Sequence, residues 1–283
     1  MVFAKSSLKK SLGQHFLTDS TVLFELIAHI NPVASDRFLE IGPGAGALTE
    51  PVLQRCSDIH AIELDRDWIE PLRQKFSSRG LQLHHADATK FDFVALFDQQ
   101  RIDHVCNLNR VEDDFSKPKL WRVIGNLPYN VASLLLFRLH SVADRVLDQH
   151  FMLQKEVVDR LIAPPSTPEY GRLSVMMQAR YDLDCLMVIE PHAFVPPPKV
   201  FSAVVRMIPH YRFKGVNWTL LERVVKQAFS MRRKILRTNL AEFDRICSIQ
   251  QSGIDPQARA QDVSVEQYLN YVQSLDRLWG SNS

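Results

Sequence analysis

The chain contains 283 residues, of which 46% are hydrophobic and 23% charged, a composition typical of a globular protein with one large domain and a small one. Its formal net charge of +2 is too small to identify a nucleic-acid partner. No apolar run approaches the roughly 18 residues of a membrane-spanning helix. The four cysteines form no CxxC pair, which argues against a zinc site and a disulfide framework. We therefore expect a cytoplasmic protein without a metal site.

The first part of the chain alternates short apolar strands with helical patterns. Residues 1–11 are basic and rich in serine, and we interpret them as a flexible basic arm because no apolar segment follows them. The first predicted helix has its cap at Asp19 or Ser20. The next predicted elements are a strand at 37–41, a helix at 48–55, a strand at 59–64, a helix at 68–76, strands at 81–84 and 120–125, and a helix at 131–140. This order predicts an α/β fold with a mostly parallel sheet, which binds ligands at the carboxyl ends of its strands.

The last part of the chain changes character twice. Residues 174–207 are rich in β-branched and apolar side chains, and they include a predicted late strand at 200–207. A helical pattern begins after Trp218. We place a domain boundary accordingly, with residues 1–211 in the large α/β domain and residues 212–283 in a small helical domain.

A glycine-rich loop at 42–46 follows the first predicted sheet strand. Glycine there permits a tight turn and a close approach of the backbone to a ligand. Glu63, 21 residues after Gly42, ends the next strand and is suited to the hydroxyl groups of a ribose. The loop fits a dinucleotide fingerprint, and, preceded by Glu40, it also fits the first motif of methyltransferases that use S-adenosylmethionine. Asp87, at the end of the third strand, favours the second cofactor because its carboxylate suits the amino group of adenine.

The sequence Asn126-Leu127-Pro128-Tyr129 follows another apolar strand. The Asn126 amide oxygen and the Leu127 carbonyl can both accept hydrogen bonds from an exocyclic amino group. Pro128 fixes the backbone so that the Leu127 carbonyl points into the site. The Tyr129 ring offers a face on which a base can stack. A polar turn at the end of a buried strand would account for the same residues, but the upstream cofactor loop favours an enzyme that methylates the amino group of adenine.

Several motifs together resemble one known family. In chain order they are SLGQHFL (11–17), EIGPGAG (40–46), IELD (62–65), Asp87, NLPY (126–129), MLQKE (152–156), YGRLS (170–174), FVPPPKV (194–200), and AF (228–229) followed by RRK (232–234). The series resembles the small-subunit ribosomal RNA adenine dimethyltransferases of the KsgA/RsmA type. The likeness covers about residues 10–272.

The resemblance implies a Rossmann-like class I methyltransferase domain that uses S-adenosylmethionine, followed by a small all-α domain that contacts RNA. It implies dimethylation at N6 of two adjacent adenosines near the 3′ end of 16S rRNA, within the small (30S) ribosomal subunit or its precursor. It also implies a role in subunit biogenesis, and nothing in the sequence requires more than a monomer.

The resemblance also assigns residues by motif. The cofactor-binding residues are Gln14, His15, Leu17, Gly42, Gly44, Glu63, Asp87, Ala88 and Asn126. The catalytic residues are Asn126, Leu127, Tyr129 and Phe194, of which Tyr129 and Phe194 are expected to sandwich the target base. The RNA-binding residues are Lys199, Arg232, Arg233, Lys234 and Arg237, although a run of charges is more often a solvated helix face.

The chain departs from the family pattern at two places. His15 stands where many relatives have asparagine, so we expect its role to rest on backbone groups. An extra polar stretch at about 106–119 is interpreted as a surface loop. Two alternatives share the architecture: a 23S rRNA adenine methyltransferase of the antibiotic-resistance type, and an assembly factor that binds RNA without catalysis. Leu127 and residues 170–174 argue against the first, and the intact motif residues argue against the second.

Overall fold

The structure is a computed structural model that describes residues 15–98 and 119–280. The predicted basic arm (1–11), Gln14, and all but the last residue of the stretch at 106–119 lie outside the described residues.

Nine strands are present in the described part of the chain. They are β1 (Phe16–Leu17), β2 (Phe38–Ile41), β3 (Ile59–Glu63), β4 (Leu81–His85), β5 (Trp121–Asn126), β6 (Val146–Gln154), β7 (Tyr181–Ile189), β8 (Phe194–Val195) and β9 (Ser202–Pro209). Seven of them form one sheet in the order β4-β3-β2-β5-β6-β9-β7. The pairs from β4 to β6 are parallel, and β9 is antiparallel to β6. The predicted α/β fold with a mostly parallel sheet is confirmed.

The strand order places a crevice at the centre of this sheet. The chain winds from β2 outward to β4 and then returns to the other side of β2 as β5. Neighbouring connections leave the sheet on opposite sides at such a point, and ligands bind there at the carboxyl ends of the strands. Every residue of β2 and β3 is buried, as expected for parallel strands covered on both faces.

The predicted helices occur in the predicted order, with two further helices at Lys155–Ile162 and Arg172–Gln178. They span Ser20–Ile30, Thr49–Leu53, Arg66–Phe76, Ala132–His140, Lys155–Ile162, Arg172–Gln178, Trp218–Ala228, Leu236–Asn239, Ala241–Asp244 and Val265–Gly280. Asp19 caps the first of them, since its side chain accepts hydrogen bonds from the backbone N–H groups of Thr21 and Val22. None of the helices in residues 15–98 and 119–280 is long and apolar enough to cross a membrane.

The helix Arg172–Gln178 lies where no element type was predicted. The stretch rich in β-branched and apolar side chains that starts at Ser174 begins inside this helix, in which residues 173–177 are all buried. A short continuous apolar run fits a buried helix as well as a buried strand, so periodicity alone does not separate them.

The described residues divide into two compact units. The first comprises residues 15–98, 119–155 and 184–209, and the second comprises residues 156–183 and 210–280. In the second unit, the helix Arg172–Gln178 packs against Trp218–Ala228 and Val265–Gly280. Residues 156–183 therefore group with the C-terminal helices. The predicted boundary between residues 211 and 212 assigns them to the large domain instead.

Candidate functional site

A cavity of about 240 Å³ lies in the first unit at the carboxyl ends of β2 to β5. It collects the side chains that end these strands together with the segment around β1. The predicted site residues that line it are His15, Leu17, Gly42, Gly44, Glu63, Asp87, Ala88, Asn126, Leu127 and Tyr129. The topology therefore brings most of the predicted cofactor and catalytic positions to one place.

The glycine loop forms one wall of this cavity. Gly42 has a φ of +70° and Gly44 a φ of +53°, a region that residues with a side chain rarely adopt. A Cβ atom at Gly42 would meet no atom within 4 Å, so it would project into open space beside the backbone. At Gly44 a Cβ atom would lie 2.7 Å from the Phe16 ring, so that position has room for glycine alone.

Glu63 is fixed at the end of β3 by backbone donors. Its side-chain oxygens accept hydrogen bonds from the N–H of Gly44 (3.0 Å) and from the N–H of Asp65 (2.7 Å). Burial raises the pKa of the Glu63 carboxyl, while these two N–H groups lower it. The result is a buried carboxyl group held in one orientation at the cavity wall, suited to hydrogen bonding with hydroxyl groups.

Asp87 is oriented by the residue two positions after it. The hydroxyl and the backbone N–H of Thr89 both donate to Asp87 Oδ1, at 2.6 and 2.9 Å. The Thr89 hydroxyl is the main reason why the pKa of Asp87 is lowered. Asp87 is therefore an oriented anionic acceptor in the lining of the cavity, which suits the amino group of an adenine.

Asn126 ends β5 with its amide in a defined orientation. Its Nδ2 donates to the main-chain oxygen of His15 at 2.7 Å. The amide has one donor end and one acceptor end, and the bond to His15 uses the donor end. In the described part of the chain no donor is bonded to the Asn126 side-chain oxygen, and the residue lines the cavity. Leu127, whose N–H donates to Met152, lines it too.

The Tyr129 ring is held from two sides. Its hydroxyl lies 2.7 Å from the hydroxyl of Ser202, and its ring stacks on the His15 ring with centroids 5.5 Å apart and an interplanar angle of 25°. Burial raises the pKa of Tyr129, so the phenol stays neutral. These contacts give the ring a fixed position beside Asn126.

Comparisons with known proteins identify this arrangement. The chain matches the family model described as "Ribosomal RNA adenine dimethylase" over residues 5–277. Two relatives are each named Ribosomal RNA small subunit methyltransferase A. The one from Burkholderia lata is 45% identical over 273 residues (94% of this chain, 93% of the relative), and the one from Janthinobacterium sp. is 44% identical over 267 residues (94% and 98%). The chain belongs to the ribosomal RNA adenine dimethylase family. It is an S-adenosylmethionine-dependent enzyme that methylates adenine in ribosomal RNA.

Two solved structures share the fold of this dimethylase. A dimethyladenosine transferase from Plasmodium falciparum superposes with a TM-score of 0.74 at 21% identity, covering 94% of this chain and 98% of its own. The 23S rRNA methyltransferase ErmE superposes with a TM-score of 0.64, also at 21% identity, covering 92% and 99%. At this level of identity the likeness concerns the fold alone.

Phe194 was predicted to lie in the site of the dimethylase, but its side chain lies outside the cavity. Its side chain is 1% exposed and belongs to the hydrophobic core with Leu26 and Ile27, and it does not line the cavity. The cause is the pairing of β1 with β8, in which Leu17 lies opposite Phe194. In this structure the ring stacked on Tyr129 is that of His15, while Phe194 packs in the core, so the sandwich of a base between Tyr129 and Phe194 stays a prediction.

The predicted RNA-binding cations of the dimethylase are all exposed. Lys199 lies in the first unit, and Arg232, Arg233, Lys234 and Arg237 lie in the second. Arg232 donates to the main-chain oxygen of Pro168 at 2.8 Å, which fixes its guanidinium without neutralising it. Arg237 lies 3.8 Å from Asp244, and because the arginine side chain is 67% exposed the pair contributes little stability.

Three residues of this site were not predicted. Thr89 orients Asp87, and its spacing of two residues is a recognisable local turn pattern that could have indicated it. Phe16 packs against Gly44, and Ser202 contacts Tyr129. No local sequence signal connects Ser202 with Tyr129, since 73 residues separate them.

Glu40, named only as the residue before the glycine loop, also lines the cavity. Its carboxyl is buried and accepts a hydrogen bond from the Thr49 hydroxyl at 2.6 Å. Burial raises the pKa of Glu40 to about 7, against the lowering effect of Thr49. Glu40 is thus a buried acidic group whose proton is retained to near-neutral pH.

Proposed function

We propose that this dimethylase transfers two methyl groups to N6 of each of two adjacent adenosines near the 3′ end of 16S rRNA, in the small ribosomal subunit or its precursor. The observation that carries the proposal is the Asn126 amide, whose donor end is bonded to the His15 carbonyl and whose acceptor end is left to a ligand in the cavity. An acceptor at that point matches an amino group as substrate.

The residues around the cavity fit S-adenosylmethionine. Glu63 would bind the ribose, Asp87 the amino group of the cofactor's adenine, and Gly42 and Gly44 the methionine end. The fit rests on the fixed Glu63 carboxyl and on the open space beside Gly42. Gln14, His15, Leu17, Ala88 and Asn126 complete the proposed contacts. When bound, the cofactor supplies a methyl group on a positively charged sulfur, which makes the methyl carbon electrophilic.

Asn126 and Leu127 then act on the target nitrogen. The lone pair of the adenine amino group is delocalised into the ring, so the nitrogen is a poor nucleophile until it becomes tetrahedral. The Asn126 oxygen and the Leu127 carbonyl would accept both N–H groups in the tetrahedral geometry. Because these bonds are stronger in the transition state than in the ground state, they lower the barrier. The same contacts align the nitrogen with the methyl carbon.

No side chain is required as a general base in this proposal. The amide of Asn126 is neutral, and the amino nitrogen gains acidity once it is methylated and positively charged, so its proton can leave to water. A second transfer uses the remaining N–H. The site must therefore accept both adenine and N6-methyladenine, and in the second step only one of the two acceptors receives an N–H.

The target base must leave its stack to enter the cavity. Extrusion from a duplex costs a few kcal/mol and less from a loop. Stacking on the Tyr129 ring would return about 1–3 kcal/mol. Lys199, Arg232, Arg233, Lys234 and Arg237 would hold the surrounding RNA through phosphate contacts. We place the enzyme in the cytoplasm, acting as a monomer in small-subunit biogenesis.

The test is the transfer of labelled methyl groups from S-adenosylmethionine to small subunits purified from cells that lack the modification. Large subunits serve as the control, and the labelled RNA is digested to nucleosides. We expect N6,N6-dimethyladenosine in the small subunit alone. Label in the large subunit would identify a 23S enzyme instead, and an absence of label from both would leave a binding factor without catalysis.

A further inference from the structure

His15 makes three contacts, two of them with residues that line the cavity. Its main-chain oxygen accepts the Asn126 amide, its ring stacks on Tyr129, and its Nδ1 lies 2.7 Å from the main-chain oxygen of Pro196. A carbonyl oxygen can only accept, so Nδ1 carries the hydrogen of this bond. The ring is thereby fixed in one plane by a hydrogen bond at its edge and by Tyr129 at its face.

The segment after His15 fixes its main chain. Phe16 and Leu17 pair with Val195 and Phe194 in the β1–β8 ribbon. The next two N–H groups, of Thr18 and Asp19, both donate to the main-chain oxygen of Ala193, at 2.9 and 3.2 Å. Backbone hydrogen bonds of the segment that follows His15 therefore fix the position of its carbonyl and ring.

We propose that His15 is a positioning residue that sets the geometry between the acceptor of the target amino group and the ring on which the target base stacks. The inference rests on the proposed function, since it assigns Asn126 to the edge of the base and Tyr129 to its face. One residue touches both groups, through different atoms. A shift of His15 would thus change the angle between the amide oxygen and the stacked base.

The stacking geometry also assigns the two faces of Tyr129. A centroid distance of 5.5 Å with near-parallel rings is direct contact, with no space for a base between them. The target base therefore stacks on the face of Tyr129 that is turned away from His15. His15 supports the opposite face, the place where the sequence assigned no aromatic partner.

Three substitutions separate the two contacts of the His15 side chain, the stack on Tyr129 and the hydrogen bond to Pro196. His15→Ala keeps the carbonyl for Asn126 but removes the ring and the bond to Pro196. His15→Phe keeps a flat ring for Tyr129, and His15→Asn keeps a short polar group without the ring. His29→Ala, at an exposed position of the helix Ser20–Ile30, is the matched control. Each variant is first checked by thermal unfolding.

We expect His15→Ala to lower kcat by about 10- to 100-fold, the range for a reacting group displaced by about 1 Å. The Kd for S-adenosylhomocysteine, measured by calorimetry, should stay within about threefold, because the backbone groups through which His15 is expected to contact the cofactor are kept in this variant. The digested product should shift from dimethyladenosine to monomethyladenosine, because the second transfer depends on one remaining N–H. His15→Phe should recover most of kcat. His15→Asn, the residue that many relatives have here, should recover less, because in this chain Tyr129 stacks on the ring at position 15.

Equal losses in His15→Phe and His15→Ala would overturn the inference, since the ring would then be irrelevant. A loss that appears mainly in the Kd for S-adenosylhomocysteine would also overturn it, by making His15 a cofactor residue only. Failure of the proposed function is visible separately in the wild-type protein. If that protein methylates large subunits, the order of the three variants can still be measured there.

Discussion

Strand β5 carries a buried arginine near its first residue and an amide at its last, and the fold surrounds the two side chains differently. Arg122, 7% exposed, donates to both carboxylate oxygens of Asp148 at 2.9 and 2.7 Å, to Asp36 at 2.7 Å, and to the main-chain oxygen of Ile30 at 2.6 Å. At the other end, Asn126 has its donor bonded to His15, and its acceptor is without a bonded donor in the described residues.

The difference separates stability from function along one strand. At the amino end, Arg122 pairs with Asp36 and Asp148, so none of these three charged groups is available to a ligand. At the carboxyl end, the Asn126 side-chain oxygen faces the cavity without a bonded donor in the described residues, so it is available to a ligand. Both ends are polar and largely enclosed, so polarity alone does not indicate which end binds a substrate.

Removal of the charge at the amino end should have the largest effect on stability. Arg122→Met would leave Asp36 and Asp148, both largely buried, without their cation. We expect the free energy of unfolding to fall by about 3–5 kcal/mol, as when one partner of a buried ion pair is removed. Urea denaturation measures this loss, and kcat of the folded variant should remain close to the wild-type value.

Arg206→Met is the matched control for this substitution. Arg206 pairs with Asp184 at 2.8 Å, but the two side chains are 38% and 54% exposed. Such a pair contributes about 0–1 kcal/mol. Equal losses for the two variants would mean that the enclosed network at the start of β5 has no special role in stability.

Removal of the amide at the carboxyl end should act on the reaction instead. Asn126→Ala deletes the proposed acceptor, and we expect kcat to fall by about 10²- to 10³-fold, as for the loss of one donor in an oxyanion hole. Binding of small subunits, followed by sedimentation, should remain largely intact. Labelled methyl transfer gives the rate.

Gln74→Ala removes an exposed amide from a helix of the same unit and should leave the rate unchanged. If Asn126→Ala loses subunit binding together with methyl transfer, then Asn126 holds the structure and the proposed catalytic role is wrong.

Glu40 lies between the two ends, opposite Ile124 in the β2–β5 pairing, and should give a pH-dependent effect. The folded protein retains the Glu40 proton up to a pKa of about 7, whereas an ordinary glutamate releases it near 4.5. The stability that this group contributes is therefore complete below pH 4.5 and is lost as the pH rises through 7. Glu40→Gln stays neutral, so its Tm should decline less than that of the wild type over this interval. Parallel Tm profiles for the two proteins would contradict the assignment.

The sequence was most informative where function follows topology. Glu63 and Asn126 are the last residues of β3 and β5, and Asp87 follows β4 by two residues. Parallel strands bring residues at their carboxyl ends together whatever the details of packing. It was least informative for contacts that depend on tertiary pairing. The burial of Phe194 follows from its place opposite Leu17 in a two-stranded ribbon, which no local pattern indicates.

The smallest expected effect concerns the hydroxyl pair behind the Tyr129 ring. Ser202 is fully buried, and its hydroxyl lies 2.7 Å from that of Tyr129. We expect Ser202→Ala and Tyr129→Phe each to lower kcat/KM by a few-fold to about tenfold, the value of one hydrogen bond of about 0.5–1.5 kcal/mol. If the bond itself holds the ring, the double variant should be no worse than either single variant, because both remove the same interaction. Additive losses would mean that the two hydroxyls act separately, and that the orientation of Tyr129 depends on the His15 stack alone.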